Sequence, residues 1–432
     1  MNSIVDGIRN RFATYPRQFW TLFFGSLINS TGNGLIINFI SAYMTKHMGF
    51  TMTQVGLILV CFGVVVLVSQ LFGGGLIDRI GRKPIMMVSL FGNAFACILF
   101  GIFSQAAAQN LLFRNLLVAG TVLLVGSTNA LFSPAASAMV IDLVKPNQRT
   151  AAFGLLRVVL NVGITFGPMI GGFIASYSYE VLFITAGAAM GVYALIITFF
   201  VHETHHSDQQ HDKPNLLKSM GGFVTVFRDK QFMIFLGFYA LTCLIYAQNN
   251  TTLTVFLINT HHLDERWLGL LMGVNATMVV LFQYPLTRWL TRFKRGYVMA
   301  VGMVLFAVGF GLFGVMRAVP LFFIAQGIWT LGELFTSPVA QSLTADAAPS
   351  DQRGRYMGVY SLTFAIAYAI GPLLGGLVMD HVNPYTLWLV IFGMGLVVSL
   401  AYLRMVPLLQ IISARAISKP TQPIASFVTE NP

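Results

Sequence analysis

Residues 133–172 read SPAASAMVIDLVKPNQRTAAFGLLRVVLNVGITFGPMIGG, and residues 337–376 read SPVAQSLTADAAPSDQRGRYMGVYSLTFAIAYAIGPLLGG. The two stretches align without a gap, and each identical pair named below is separated by 204 residues. The identities include Ser133–Pro134 with Ser337–Pro338, Asp142 with Asp346, Gln148–Arg149 with Gln352–Arg353, Gly167–Pro168 with Gly371–Pro372, and Gly171–Gly172 with Gly375–Gly376. So many identities at one spacing indicate an internal repeat, which is typical of transporter folds.

The composition is that of a membrane protein. Of the 432 residues, 56% are hydrophobic and 9% are charged, whereas soluble domains carry about 25% charged residues. The net charge of +11 lies in short loops between apolar runs, as in membrane proteins oriented by positive charge. Because no basic residues alternate with aromatic ones, nucleic-acid binding is not expected.

Twelve apolar segments are long enough to cross a bilayer, which requires about 20 residues. Every backbone polar group in lipid must be bonded within its own segment, so these spans are expected to be helices. The predicted spans are 19–45, 53–77, 85–105, 113–141, 151–176, 181–201, 232–259, 267–290, 297–316, 319–345, 356–379 and 385–406.

The repeat equates spans four and five with spans ten and eleven. Six spans, an even number, separate the copies, so the halves are parallel repeats about an axis along the membrane normal. The sequence therefore predicts an all-α membrane protein with two pseudo-symmetric six-helix bundles. In such a design the bundles rock about a central site, which opens alternately to each side of the membrane.

The distribution of Lys and Arg predicts the orientation. With the N-terminus inside, the inner segments hold 21 of the 26 basic residues, and the outer segments hold Lys46, Arg114, Arg266 and Arg317. This split places both termini in the cytoplasm. The first apolar run is long and no small-residue cleavage site follows it, so we expect a retained span rather than a signal peptide. The protein is expected to be a multi-pass protein of the cell membrane.

The expected organisation has five parts, in which two bundles flank a polar linker. They are a cytoplasmic segment 1–18, an N-terminal bundle 19–201, a cytoplasmic central loop 202–230, a C-terminal bundle 231–406 and a disordered cytoplasmic tail 407–432. Hydrophobic residues at helical spacing after Pro214 predict a short helix on the inner membrane face.

No metal site or cofactor is expected. The linker contains His202, His205, His206 and His211, but no acidic or thiol ligand set surrounds them, and flexible His-rich linkers are common. The three cysteines each lie inside an apolar run and form no CxxC pair, which predicts free thiols packed among helices.

The turn between spans two and three carries a specific motif, GGLIDRIGRKP at 74–84. It resembles the GxLxDRxGRK signature of the major facilitator superfamily at every defining position. The resemblance implies a cytoplasmic latch between the two halves, formed by Gly74, Asp78, Arg79, Gly81, Arg82 and Lys83. Physically, a glycine at position 81 permits a positive φ, and the arginines can donate to acidic groups and exposed carbonyls. A basic turn that only fixes topology is the alternative.

Span five contains Gly163, Gly167, Pro168, Gly171 and Gly172 in the order GxxxGPxxGG. This order is similar to a motif of the antiporter branch of the same superfamily, which implies export. Glycines four residues apart also place flat surfaces on one helix face and permit close approach of another helix. Helix packing therefore explains part of the motif without reference to transport direction.

Glu333 lies near the middle of span ten. An ionised carboxylate at that depth costs about 2.5–3.5 kcal/mol on insertion scales, so it is expected to face a cavity and to carry a proton when sealed from water. Its setting resembles the corresponding span of multidrug/proton antiporters, and its repeat mate is Asn129. Asp142 and Asp346, at the inner ends of spans four and ten, are either further proton carriers or partners in structural ion pairs.

Three arginines are candidate partners for these acids: Arg149, Arg157 and Arg353. In particular, Asp142 and Arg157 could pair across spans four and five. Many drug/proton antiporters have an arginine in span four about four residues before a glycine, but this chain has Val122 there. The substrate cavity is predicted to be lined by amides and aromatic residues, namely Asn29, Asn33, Asn129, Tyr246, Gln248, Asn249, Asn250 and Trp329.

The sequence thus predicts a secondary transporter, not an enzyme, that exchanges protons for an amphipathic or drug-like small molecule by alternating access. It is expected to work as a monomer in the lipid bilayer. Proton-coupled or facilitative uptake of a small nutrient on the same fold is the first alternative. An integral-membrane enzyme is a second, although no cluster of acid, His or Cys residues lies at one membrane face.

Overall fold

The computed structural model describes residues 15–204, 225–349 and 352–417, and their secondary structure is helical. The helices are α1 Arg17–Ile37, α2 Ile40–Lys46, α3 Met52–Ile80, α4 Arg82–Ala108, α5 Leu111–Leu143, α6 Arg149–Tyr177, α7 Tyr179–Phe200, α8 Lys230–Tyr246, α9 Thr252–Val255, α10 Glu265–Leu290, α11 Arg295–Val315, α12 Val319–Ala347, α13 Arg353–His381, α14 Pro384–Arg404 and α15 Val406–Ile417. A 3₁₀ turn at Pro146–Gln148 precedes α6, and a π-helical turn at Phe256–Thr260 follows α9.

Ten helices in the described ranges are long and apolar enough to cross a membrane, namely α3–α7 and α10–α14. The other two predicted spans are interrupted. Span 19–45 breaks at Asn38 and Phe39 between α1 and α2, and span 232–259 breaks at 247–251 between α8 and α9. Polar residues stand at both breaks, and at the second the Gln248 side chain donates to the Leu244 carbonyl at 3.1 Å, in competition with the helical ladder. Each interruption lies in the first predicted span of its half.

We call residues 15–204 the first half and residues 225–417 the second half. In the first half α1 packs on α6 and α7, and α4 packs on α5 and α7. In the second half α11 packs on α12 and α14. The two halves meet where α3 contacts α13 and where α6 contacts α10.

The close contacts between the halves lie at one end of the helices, which we call the outer end because it carries Lys46, one of the predicted outer basic residues. There the Gly56 backbone lies against Leu373, and Gly172 lies against Gly269. Toward the other ends of α3 and α10, Phe72 and Tyr284 are each 75% exposed. The halves therefore close on each other at the outer end.

The start of the predicted disordered tail is corrected by the structure. Val406–Ile417, assigned almost entirely to that tail, forms α15. Leu409 and Ile412 are buried, and Arg415 reaches an acidic residue at the start of α8. Apolar burial of one helix face, rather than local propensity, therefore orders this segment. The cluster of histidines at 205–211 and most of the predicted surface helix lie outside the described residues.

Asp229 ties α15 to the start of α8. Its carboxylate accepts from Arg415 at 2.5 Å, from the Tyr356 hydroxyl at 3.0 Å and from the Phe232 backbone N–H at 3.2 Å. Burial alone would raise the pKa of Asp229, but these hydrogen bonds, the Arg415 bond foremost, outweigh it and hold the pKa below its ordinary value of 3.8.

We expect Asp229→Asn to lower the free energy of unfolding in detergent by about 1–2 kcal/mol at neutral pH, because the helix cap survives and the ion pair does not. A carboxyl whose pKa is depressed by folding stabilises the fold above its ordinary pKa, and this contribution fades as the pH falls through the folded value. The deficit should therefore persist above pH 3.8 and shrink below it, as measured by thermal unfolding across pH. Asp264→Asn is the matched control, since Asp264 also caps a helix but pairs with Arg266 on an exposed surface.

Candidate functional site

Glu333 lies in the middle of α12 and is held by two neutral side chains from other helices. The Tyr246 hydroxyl, at the end of α8, donates to Oε1 at 2.9 Å. Asn275 on α10 donates from Nδ2 to Oε2 at 2.7 Å. Since the two oxygens accept from different helices, the carboxylate joins three helices of the second half. The described hydrogen-bond partners of Glu333 therefore carry no positive charge.

The network extends around this carboxylate. Asn275 Nδ2 also lies 3.2 Å from the Thr330 hydroxyl, one turn before Glu333 on α12. The Tyr246 ring lies 5.9 Å from the ring of Tyr368 on α13, and the Tyr368 hydroxyl accepts from Asn250 Nδ2 at 3.1 Å. Amides, hydroxyls and aromatic faces thus surround a single acid.

The predicted cavity residues of the second half differ in how deeply they are buried. Tyr246 and Asn250 are half-buried, as is Glu333 itself. By contrast, Gln248 and Asn249 are 5% and 4% exposed, and Trp329 is fully buried. The interruption at 247–251 turns Gln248 and Asn249 into the protein, and Trp329 points into the core from within α12, so these three side chains do not line a cavity in this structure.

Packing explains why these side chains are withdrawn. The Trp329 ring lies 5.8 Å from Phe306 and 5.7 Å from Phe310, so the indole fills the core between α11 and α12. Gln248 Nε2 donates to the Gly371 carbonyl at 2.9 Å. That bond anchors the broken helix to α13 at the Gly-Pro pair of the repeat.

The first half presents amides where the second half presents an acid. Asn33 and Asn129 are half-buried, and Asn29 is 8% exposed. Asn33 Nδ2 donates to the Asn29 backbone carbonyl at 2.9 Å, one turn earlier on α1. Because Asn129 is the repeat mate of Glu333, the two halves differ in charge at matching places.

The glycine motif of span five is a helix-packing surface in this structure. A Cβ added at Gly163 would lie 1.9 Å from the Ser30 hydroxyl on α1. One added at Gly167 would lie 2.7 Å from the Gly34 Cα. Pro168 lies inside α6, next to this contact. The absence of side chains permits α6 and α1 to approach to backbone distance.

The last two glycines of the motif face different partners. Gly171 lies against the backbone of Leu35, within the first half. Gly172 lies against the Glu265 carbonyl and Gly269 on α10, in the second half. The motif therefore contacts both the neighbouring helix and the opposite half.

The predicted latch turn is held by Glu203, an acid that no sequence motif singles out. Gly81 adopts φ 101°, as its role in a tight turn requires. The Glu203 carboxylate accepts from the backbone N–H groups of Arg82 at 3.2 Å and Lys83 at 2.9 Å, at the N-terminus of α4. Arg82 Nε lies 3.1 Å from Asp142 Oδ2. The sequence signal for Glu203 is that it is the first acidic residue after span six.

These latch contacts lie within the first half. Lys83 Nζ donates to the Thr198 carbonyl at 2.8 Å, and Arg79 is exposed. The side chain of Asp78, like residue 74, falls outside the described placements. The role of the turn in holding the two halves together therefore stays a prediction.

The second half repeats the ion pair of the first. Arg295 begins α11 and pairs with Asp346 at 2.5 Å, as Arg82 begins α4 and pairs with Asp142. Each acid is the penultimate residue of its helix, Asp142 in α5 and Asp346 in α12. This symmetry favours the structural interpretation of Asp142 and Asp346 over the proton relay.

The other candidate arginines take different places. Arg149 donates to the Ile141 and Val144 carbonyls at 3.0 and 3.3 Å and so caps the end of α5. Arg157 and Arg353 are exposed. The ion pair of Asp142 in the described structure is with Arg82, so the predicted pairing with Arg157 is not seen.

Comparison with known proteins identifies the fold and the family. The sequence model of the Major Facilitator Superfamily matches residues 22–280 and 240–429. The chain belongs to the Major Facilitator Superfamily. It is therefore a multi-pass membrane transporter, and its family and fold are those of secondary transporters rather than enzymes.

Two relatives illustrate the range of the superfamily around this chain. A Na(+), Li(+), K(+)/H(+) antiporter of Planococcus maritimus is 25% identical over 397 residues, covering 86% of this chain and 89% of the relative. Multidrug resistance protein MdtH of Escherichia coli is 24% identical over 354 residues, covering 80% and 82%.

Solved structures agree in fold. The nucleoside transporter NupG superposes with a TM-score of 0.73 at 15% identity, covering 90% of this chain and 99% of that one. A POT family transporter in complex with 5-aminolevulinic acid superposes with a TM-score of 0.71 at 16% identity, covering 91% and 97%. At such identities these superpositions establish the major facilitator fold and leave the solute open.

Proposed function

We propose that this major facilitator protein is a proton-coupled antiporter of the cell membrane that exports an amphipathic, drug-like small molecule. Its helices form twelve spans when the interrupted spans α1–α2 and α8–α9 are counted, with both termini in the cytoplasm. The monomer carries one solute path between the halves. The described conformation, closed at the outer end, then faces the cytoplasm.

The observation that carries this proposal is the set of partners around Glu333. A carboxylate that is half-buried within a membrane span normally needs a cation or several donors to stay ionised. Here Tyr246 and Asn275 supply two neutral donors, and no ion pair involves Glu333 in the described ranges. The balance between the charged and protonated forms therefore depends on whether water or solute reaches the site. Such dependence is what a proton carrier requires.

The exchange follows because the proton and the solute both act on the Glu333 carboxylate, at different steps of the cycle. In the inward-facing form, water ionises Glu333, and its oxygens accept from Tyr246 and Asn275. A solute that enters between the halves displaces one of these donors and favours the outward-facing form. After release outside, a proton neutralises Glu333, and the neutral carboxyl returns through the sealed state at low cost. One proton thus enters for each solute that leaves.

A second candidate is exchange of a monovalent metal cation for protons. The Planococcus maritimus relative bears the name of such an antiporter. A lone carboxylate among amide and hydroxyl oxygens would also receive a small cation, since oxygen ligands suit hard ions. Uptake of a small nutrient remains the alternative within the same fold.

Reconstituted vesicles with a trapped pH indicator test the proposal. We expect addition of an amphipathic cationic dye such as ethidium to drive proton movement opposite to the dye. A response to NaCl or KCl but not to the dye would favour the cation exchanger. Proton and solute movement in the same direction, measured with nucleosides or dipeptides, would replace antiport with uptake.

A further inference from the structure

The outer end contains an ion pair that crosses between the halves, with its carboxylate buried and its lysine exposed. Glu265 begins α10 in the second half and is 7% exposed. Its Oε1 accepts from Lys46 Nζ and from the Tyr179 hydroxyl, both in the first half and both at 2.9 Å. A carboxylate this buried depends on these partners, because removing them leaves an uncompensated charge.

A second carboxylate crosses in the same direction. Asp380, near the end of α13, accepts from the backbone N–H groups of Met52 at 3.3 Å and Thr53 at 2.7 Å. These groups are among the first N–H groups of α3, which have no partner within their own helix. The carboxylate also lies at the positive end of the α3 dipole. Asp380 therefore caps a helix that belongs to the opposite half.

A neutral contact and a close backbone approach complete the seam. Asn259 Nδ2 donates to the Thr45 hydroxyl at 2.9 Å. Gly376 lies against the Met52 backbone, where an added Cβ would be 2.6 Å from its carbonyl carbon. Glu265, Asp380 and Gly376 together define what we call the outer gate.

The two gate helices also carry partners of the Glu333 site. On α10, Asn275 follows Glu265 by ten residues, which is about 15 Å of helix. On α13, Tyr368 precedes Asp380 by twelve residues, which is about 18 Å. Both helices thus run from the outer gate to the acid network over a similar length.

We propose that Glu265 and Asp380 act as the outer gate and that α10 and α13 couple its closure to the occupancy of Glu333. This proposal rests on the proton-carrier role of Glu333. When Glu333 is ionised, its bond to Asn275 holds α10 against α12, and the gate carboxylates stay seated on the first half. When solute displaces that bond, α10 is released, and the gate contacts are the ones that break.

Distances between spin labels measure the gate. Labels at Phe72→Cys and Tyr284→Cys, in a background with Cys61, Cys97 and Cys243 replaced by Ala, report the separation of the inner ends. The wild-type background should show mainly the long, inner-open distance. Glu265→Gln and Asp380→Ala should each raise the ratio of short to long distances by about tenfold, as expected for losing one charge-assisted contact.

Independent variants separate gating from misfolding. Gly376→Ala inserts a wedge into the gate without changing charge, while Gly354→Ala on the same helix meets open space and should leave the distances unchanged. Asp264→Asn, beside Glu265 but paired with Arg266, should also be silent. Exchanging the charges, Lys46→Glu with Glu265→Lys, should restore the long distance lost in Glu265→Gln.

The coupling and the gate can fail separately. Asn275→Ala should raise the ratio of short to long distances, as Glu265→Gln does. In the double variant the ratio should rise by less than the product of the two single fold-changes. Unchanged distances in the gate variants would overturn the gate, and multiplicative effects would overturn the coupling. If the gate variants shift the distances but the Glu333→Gln protein still exchanges protons, the gate stands and the proton role of Glu333 is refuted.

Discussion

Replacing Glu333 with Gln is expected to abolish proton-driven transport while leaving the binding of a neutral solute within about threefold of wild type, since an isosteric amide keeps the local packing. The amide oxygen still accepts from Tyr246. The new NH₂ group faces Asn275, whose own amide can turn to present its oxygen. What is lost is the proton that the carboxyl releases and regains, and with it the driving force of the exchange.

The measurement compares two assays in reconstituted vesicles. Solute accumulation under an imposed pH gradient should fall to the level of empty vesicles, whereas exchange of labelled for unlabelled solute should continue. Glu180→Gln is the matched control, because Glu180 bonds Gln105 and Ser178 within the first half, at the outer end. Accumulation at the wild-type rate in Glu333→Gln would remove this carboxyl from the coupling mechanism.

Solute charge adds a second comparison within the same variant. If a cationic dye uses the Glu333 carboxylate as its counter-ion, its affinity should fall by about tenfold or more in Glu333→Gln, as for loss of one buried charge contact. The affinity of a neutral solute of similar shape should hardly change. Equal losses for both solutes would indicate that the substitution disturbs packing rather than charge.

Glu333 itself was predictable from the sequence, because a lone acid in the middle of an apolar segment has few explanations. Its partners were not. Asn275 is one amide in a run of apolar residues on another helix, and Tyr368 is one of several aromatic residues in span eleven. Which residue faces which depends on the rotation of each helix, and packing between helices decides that rotation.

The interrupted helices show the same limit. The amides Gln248, Asn249 and Asn250 were predicted to line a cavity because they are polar within a span. All three instead sit at a break in the helix, where two are buried and Gln248 anchors to α13. A run of polar residues in a span is consistent with a cavity wall or with a break in the helix. Here the Gly371 carbonyl accepts from Gln248 and holds that side chain inside the protein.

The internal repeat predicted that matching residues of the two halves occupy matching places, and the two aligned acids do so. Asp142 and Asp346 align in the repeat, and each pairs with an arginine at the start of the preceding helix. The first pair uses Arg82 of the latch turn. The second uses Arg295, in a turn whose aspartate and glycine are missing. Basic character alone was therefore enough to preserve the ion pair across the two halves.

The glycine motif of α6 leads to the second large effect. Gly163→Ala is expected to destabilise the protein by about 3 kcal/mol or more, because a Cβ there meets the Ser30 hydroxyl at 1.9 Å and the Thr31 backbone nitrogen at 2.7 Å. Backbone cannot rotate away as a flexible side chain can, so α1 and α6 must separate. Gly154→Ala on the same helix meets nothing within 4 Å. It should be neutral or stabilising, since alanine favours helix over glycine by about 1 kcal/mol.

Thermal unfolding in detergent, together with the yield of monodisperse protein, distinguishes packing from a direct role in export. If the motif acts through packing, Ser30→Gly should partly rescue Gly163→Ala, because it removes the nearest side-chain atoms and leaves only the backbone contact. Transport should then recover in proportion to the folded fraction. A Gly163→Ala protein as stable as Gly154→Ala, but unable to transport, would show that the glycine serves the motion of α6 against α1 rather than their packing.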